Sequence, residues 1–166
     1  MISPLKRSWS PRGHTPTAHT SLDHHQRLNL FGALLLSPKM RRIQLSILSF
    51  QCSLRSEHTI LFLSQLLRLL PGPIILLWDS HKIHISPKTQ EFIGQHPRLQ
   101  AYRFPTYAPE LNPVEFVWTQ ISEYQAGFAP HNMSELCRRI RSAVARTRAS
   151  KKRLAACLQA SSLSWK

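Results

Sequence analysis

Ile74-Ile75-Leu76-Leu77-Trp78-Asp79, followed by Ser80-His81-Lys82-Ile83-His84, is the stretch on which the reading of this chain turns. Five apolar residues in a row, preceded by the breaker Pro71-Gly72-Pro73, predict a strand whose two faces are both covered by helices. Such a strand ends abruptly at a carboxylate. A second carboxylate, Glu115, stands in Tyr107-Ala108-Pro109-Glu110-Leu111-Asn112-Pro113-Val114-Glu115. There Pro113 suits the first position of a helix, which puts Glu115 in its first turn. A carboxylate closing a buried strand and another opening a later helix can converge on one divalent cation, the arrangement that phosphoryl-transfer nucleases use.

Working outward, Glu57 to Leu70 carries Ile60, Leu61, Leu63, Leu66, Leu67 and Leu70 at helical spacing. Upstream, Arg27 to Leu36 and Ile43 to Phe50 are apolar runs split by Ser37-Pro38-Lys39-Met40-Arg41, which predicts an antiparallel hairpin. Downstream, Ser86-Pro87 starts a short helix to about Gln95, Leu99 to Phe104 makes a strand stopped by Pro105, and Pro113 to Tyr124 is helical. Asn132 to Lys152 has an apolar stripe of Leu136, Ile140 and Val144 on an otherwise basic helix. The order strand, strand, helix, strand, helix, strand, helix, helix gives an α/β fold with a mixed sheet flanked by helices. Three divisions follow: an extended lead-in over 1–26, rich in Ser, Pro, His and Thr; a core over 27–130; and a basic C-terminal helical tail over 131–166.

The chain has 166 residues, 42% of them hydrophobic, enough for one domain with a core. Its 22 Lys and Arg stand against only 8 Asp and Glu, a net charge of +14 that favours polyanions and makes nucleic acid the natural first partner. Arg138, Arg139 and Arg141, and with them His84, are the candidate nucleic-acid contacts, although a solvated helix face explains the arginines equally well. Cys52, Cys137 and Cys157 are scattered, which excludes a disulfide framework or zinc ribbon and suits a reducing cytoplasm. No apolar run predicts a signal peptide or a membrane span. His81 and His84 flank Asp79 without the closer spacing usual for zinc. Trp118 reads most simply as a core residue.

Two blocks, Trp78-Asp79-Ser80-His81-Lys82-Ile83-His84 and Phe104-Pro105-Thr106-Tyr107-Ala108-Pro109-Glu110-Leu111-Asn112-Pro113-Val114-Glu115-Phe116-Val117-Trp118, stand in an order that resembles the DDE transposases of the mariner-like bacterial insertion-sequence type. Trp9-Ser10-Pro11-Arg12-Gly13-His14-Thr15-Pro16 adds to the likeness, which spans about residues 3–125. The resemblance implies a ribonuclease H-like core that cleaves and transfers DNA strands at transposon ends with two magnesium ions. It makes Asp79 the second and Glu115 the third acidic ligand. It also implies a first Asp on a central strand upstream of Trp9, where this sequence has no acid; Asp23 alone precedes residue 57. The expectation is therefore a truncated catalytic domain lacking its first central strand and inactive alone, acting as a homo-oligomer or with an intact transposase. The alternative is a non-catalytic basic fragment that binds DNA or a transposase. Ser80 replaces a common Asn, and Ser122 a common Lys.

Overall fold

The structure is a computed structural model that describes Arg12 and residues 27–163. Arg12 apart, the lead-in 1–26, the Trp9 to Pro16 block and Asp23 lie outside the described residues. Four strands and five α-helices follow one another: β1 (Asn29–Leu36), β2 (Ile43–Phe50), α1 (Ser56–Leu69), β3 (Ile74–Trp78), α2 (Pro87–Gly94), β4 (Leu99–Arg103), α3 (Pro113–Tyr124), α4 (Met133–Ala149) and α5 (Lys151–Ala160). The hairpin forms as expected, β1 pairing antiparallel with β2 from Asn29 opposite Phe50 to Leu36 opposite Ile43. β3 and β4 pair parallel, Ile74 opposite Leu99 and Trp78 opposite Arg103, with α2 as their crossover. Among the described residues these are two separate two-stranded sheets, not one mixed sheet, because no strand bridges β1 and β3.

Period-two alternation in β1 sends its side chains into two apolar clusters. Phe31, Ala33 and Leu35 pack with Phe62, Leu63, Leu66 and Leu67 of α1 and with Ile74 and Trp78 of β3. Leu30 and Leu34, with Ile43, Leu45 and Ile47 of β2, pack on Val117 and Ile121 of α3, Leu136 and Ile140 of α4, and Leu154 and Cys157 of α5. Both faces of β1 are thus covered, which suits its run of apolar residues from Leu30 to Leu36.

β3 departs from expectation. Ile74 and Trp78 are buried, but Ile75 is 70% exposed and Leu77 43%, so one face of the strand has no helix over it. The helices α3, α4 and α5 lie on the β1–β2 hairpin and leave the outer face of β3–β4, with Tyr102 beside Leu77, to solvent. The basic C-terminal stretch holds two helices where the spacing predicts one. Ser150 ends α4 and caps α5, its hydroxyl accepting from the Arg153 N–H at 3.3 Å.

Two arginines satisfy exposed backbone ends. The Arg98 guanidinium donates to the carbonyls of Leu67, Leu70 and Gly72 at the C-terminus of α1. Arg148 donates through Nε to the Leu45 carbonyl at 3.0 Å, on the outer strand of the hairpin. The cysteines are all unbridged, with Cys52 exposed and Cys157 buried. No helix among the described residues is long and apolar enough to cross a membrane.

Candidate active site

Asp79 is the first residue after β3, and its carboxylate is held from two sides. Oδ1 accepts from the His81 backbone N–H at 2.9 Å and lies 2.7 Å from Nδ1 of His84. The chain between them turns back on itself, His84 N–H donating to the His81 carbonyl at 2.8 Å. The imidazole of His84 stacks on Trp78, with centroids 4.6 Å apart and planes 4° from parallel, and meets Phe31 edge-on at 5.5 Å. Burial lowers the His84 pKa, and it outweighs the nearby Asp79 charge, which acts the other way. The ring is therefore neutral at pH 7, with the proton assigned to Nδ1 because its partner is a carboxylate oxygen. That fixes Oδ1 of Asp79, and among the described residues no hydrogen bond engages Oδ2.

Glu115 arrives from the other side of the fold. Asn112 caps α3, its Oδ1 accepting from the Val114 N–H at 3.2 Å, and Pro113 takes the first helical position. Glu115 follows at the third. Its pKa is raised, first by partial desolvation of a carboxyl on a residue that remains exposed and then by the charge of Asp79. The Asp79 charge acting on Glu115 places the two carboxylates within electrostatic reach of each other. Among the described residues neither is paired with a Lys or Arg, the ion pairs there being His84–Asp79 and Lys88–Glu57.

The position of α3 depends on Gly32. A Cβ at that residue of β1 would stand 2.6 Å from Cη2 of Trp118, so only glycine lets the indole lie this close to the hairpin. Trp118 is three residues beyond Glu115, on the same side of the helix. The joint between Gly32 and Trp118 therefore sets where Glu115 emerges. A second joint starts the intervening loop, since the Phe104 N–H donates to the Trp78 carbonyl at 2.8 Å, next to Asp79.

Oxygen donors with no cation of their own, and repulsion that a positive charge would relieve, suit a hard divalent ion. Asp79 through Oδ2 and Glu115 would hold it. No third His, Cys, Asp or Glu joins them in a group of three among the described residues. His84 therefore belongs to the site as the residue that orients Asp79.

The candidate arginines lie elsewhere, on α4. Arg138 and Arg141 are exposed. Arg139 is half-buried, its guanidinium 4.1 Å from the centroid of Tyr124 and donating to the Tyr124 carbonyl at 2.8 Å. Tyr124 ends α3 nine residues after Glu115, so this contact is about 14 Å along the helix from the carboxylates. Sequence reading passed over Tyr107, which has a left-handed backbone at φ 59° and is 97% exposed. Nothing in its residue type signals that conformation.

The sequence model of a family described as DDE superfamily endonuclease matches residues 2–137, a span that contains Asp79, His84 and Glu115. No curated protein matches the chain.

Proposed function

The chain belongs to the DDE superfamily endonucleases, and from that premise we propose that Asp79 and Glu115 are two of the acidic ligands of a magnesium-dependent site that cuts DNA. The reading extends to a transposase catalytic core of the mariner-like bacterial insertion-sequence type, with a ribonuclease H-like fold and DNA strand transfer at transposon ends as the parent reaction. One observation carries it: the charge of Asp79, at the end of β3, raises the pKa of Glu115, in the first turn of α3, and among the described residues neither carboxylate is paired with a Lys or Arg.

A divalent cation bound there would polarise the scissile phosphate and make an attacking water or hydroxyl more nucleophilic. The chain's own groups prepare the place. Neutral His84 and the His81 N–H hold Oδ1 of Asp79, while the Asn112 cap and the Trp118 contact fix the start of α3. Two cations need more acidic ligands than the described residues supply, so the reading has the chain bind a cation and DNA but complete no strand transfer by itself. A strand between β1 and β3 is where the ribonuclease H-like reading puts the first Asp.

Magnesium-dependent nicking of supercoiled DNA tests this directly. Any nicking should vanish in both Asp79→Asn and Glu115→Gln, since each removes a negative ligand from a hard cation. Nicking that survives both substitutions would overturn the assignment.

The net charge of +14 favours a second reading, a non-catalytic basic fragment that binds DNA or an intact transposase. Salt-sensitive binding with no cation response at Asp79 and Glu115 would select it.

A further inference from the structure

We propose that Tyr107 stacks on an unpaired nucleobase of the DNA strand held at Asp79 and Glu115. The inference rests on the DNA-cutting reading and adds to it a side chain that grips a base. It starts from a conformation the fold does not explain. Tyr107 is the second residue of the turn Thr106-Tyr107, at φ 59°. Glycine or asparagine suits that position, and a bulky residue there is strained. Among the described residues two other non-glycine residues have positive φ, Lys39 and Met40, but they lie in the tight connection between β1 and β2, where hairpin twist favours consecutive left-handed residues. No hairpin surrounds Tyr107.

Nor does packing compensate. The residue is 97% exposed, the most open of the exposed large hydrophobic side chains, and its ring stacks on no aromatic among the described residues. A strained, solvated aromatic contributes nothing to the folded state by itself. Residues held this way concentrate where a ligand uses them.

Position identifies the ligand. The loop leaves Phe104, tied to the Trp78 carbonyl beside Asp79, and returns through the 3-10 turn Pro109–Leu111 to Glu115. Three residues span at most about 11 Å, so the Tyr107 backbone stays within that distance of Phe104. Lys82, three residues after Asp79, and Arg103, at the end of β4 next to Phe104, are both exposed, and neither has an acidic partner among the described residues. Unpaired cations on the segments that lead to Asp79 and to this loop, with an open aromatic on the loop itself, suit single-strand recognition, in which bases stack on rings whatever their sequence.

The test uses the full chain and duplexes with a short single-stranded 3′ end, carrying 2-aminopurine at each overhang position in turn. Binding is read by anisotropy of a distant dye, and stacking by 2-aminopurine fluorescence. Wild type and Tyr107→Phe should bind alike and change the fluorescence at one position. Tyr107→Ala and Tyr107→Gly should lose that change and bind roughly 5- to 150-fold more weakly. Tyr107→Gly should also melt above Tyr107→Ala, because glycine accepts the left-handed backbone. Equal affinity and equal fluorescence in wild type and Tyr107→Ala would overturn the stack while leaving DNA binding intact. Failure of wild type to bind any of the duplexes would overturn both. A glycine variant no more stable than the alanine one would remove the strain on which the inference stands.

Discussion

Replacing Gly32 with alanine adds one methyl group where the indole of Trp118 already lies. The new Cβ would meet Cη2 at 2.6 Å, Cζ2 at 3.1 Å and Cγ1 of Ile47 at 3.2 Å. Carbon atoms rest at about 3.5–4.0 Å, so the ring must withdraw by about 1 Å. It has little freedom to do so, being packed against the cluster of Leu28, Leu45, Val117 and Ile121. Overpacking of this kind costs about 1–3 kcal/mol, and the lower backbone entropy of alanine in a strand offsets about 0.5–1 kcal/mol of it. The net loss is about 1–2 kcal/mol, which for a domain of this size lowers the melting temperature by about 2–8 °C. Urea denaturation of Gly32→Ala, Trp118→Phe and the double variant measures it, provided the denaturant slope stays constant. Alanine should be tolerated better beside phenylalanine, with a coupling of about 1 kcal/mol. A Gly32→Ala protein as stable as wild type, or an equal loss in both backgrounds, would refute the claim that this contact seats α3 and with it Glu115.

Two further outcomes depend on titration. Glu115 has a folded pKa above its ordinary 4.5, so its contribution to stability is full below pH 4.5 and is lost as pH rises through the folded value. Glu115→Gln should therefore melt higher than wild type at pH 7 without divalent cation, and lose the rise that magnesium gives wild type; an undiminished magnesium response would count against the site. His84 has a folded pKa below its ordinary 6.5, so its contribution is full above pH 6.5 and is lost as pH falls through the folded value. His84→Phe keeps a ring on Trp78 and should flatten the decline in urea midpoint between pH 7 and 5 relative to wild type; parallel profiles would show that His84 does not titrate as argued.

Most of the secondary structure was legible because local signals agreed. Asn112-Pro113 opens α3 where a cap followed by proline must, and the apolar runs of β1 and β2 flank a loop too short to do anything but return. The places of Asp79, directly after a strand, and of Glu115, in the first turn of a helix, were legible too, since an apolar run ending in a carboxylate and a proline opening a helix carry their geometry with them. Three features were not. A continuous apolar strand reads the same whether one face or both are covered, so Ile75 and Leu77 gave no warning of their exposure. Ser150 divides two helices with neither proline nor glycine, working through a single hydroxyl. The separation of the sheets depends on long-range pairing, to which no local pattern answers.

The two carboxylates ride on different parts of the molecule. Asp79 extends the layer built around α1, β3 and β4, whereas Glu115 extends the layer built around the hairpin, α3, α4 and α5, and β1 is the seam they share. A cation gripped by both would act as a rivet across that seam. Its binding energy would then appear as mechanical coupling, so that opening either layer must also break the ion's bonds. Amide hydrogen exchange would register this as two independent opening units merging into one when metal is added, with protection rising in α1 and in α3 together although neither helix is near the ion along most of its length.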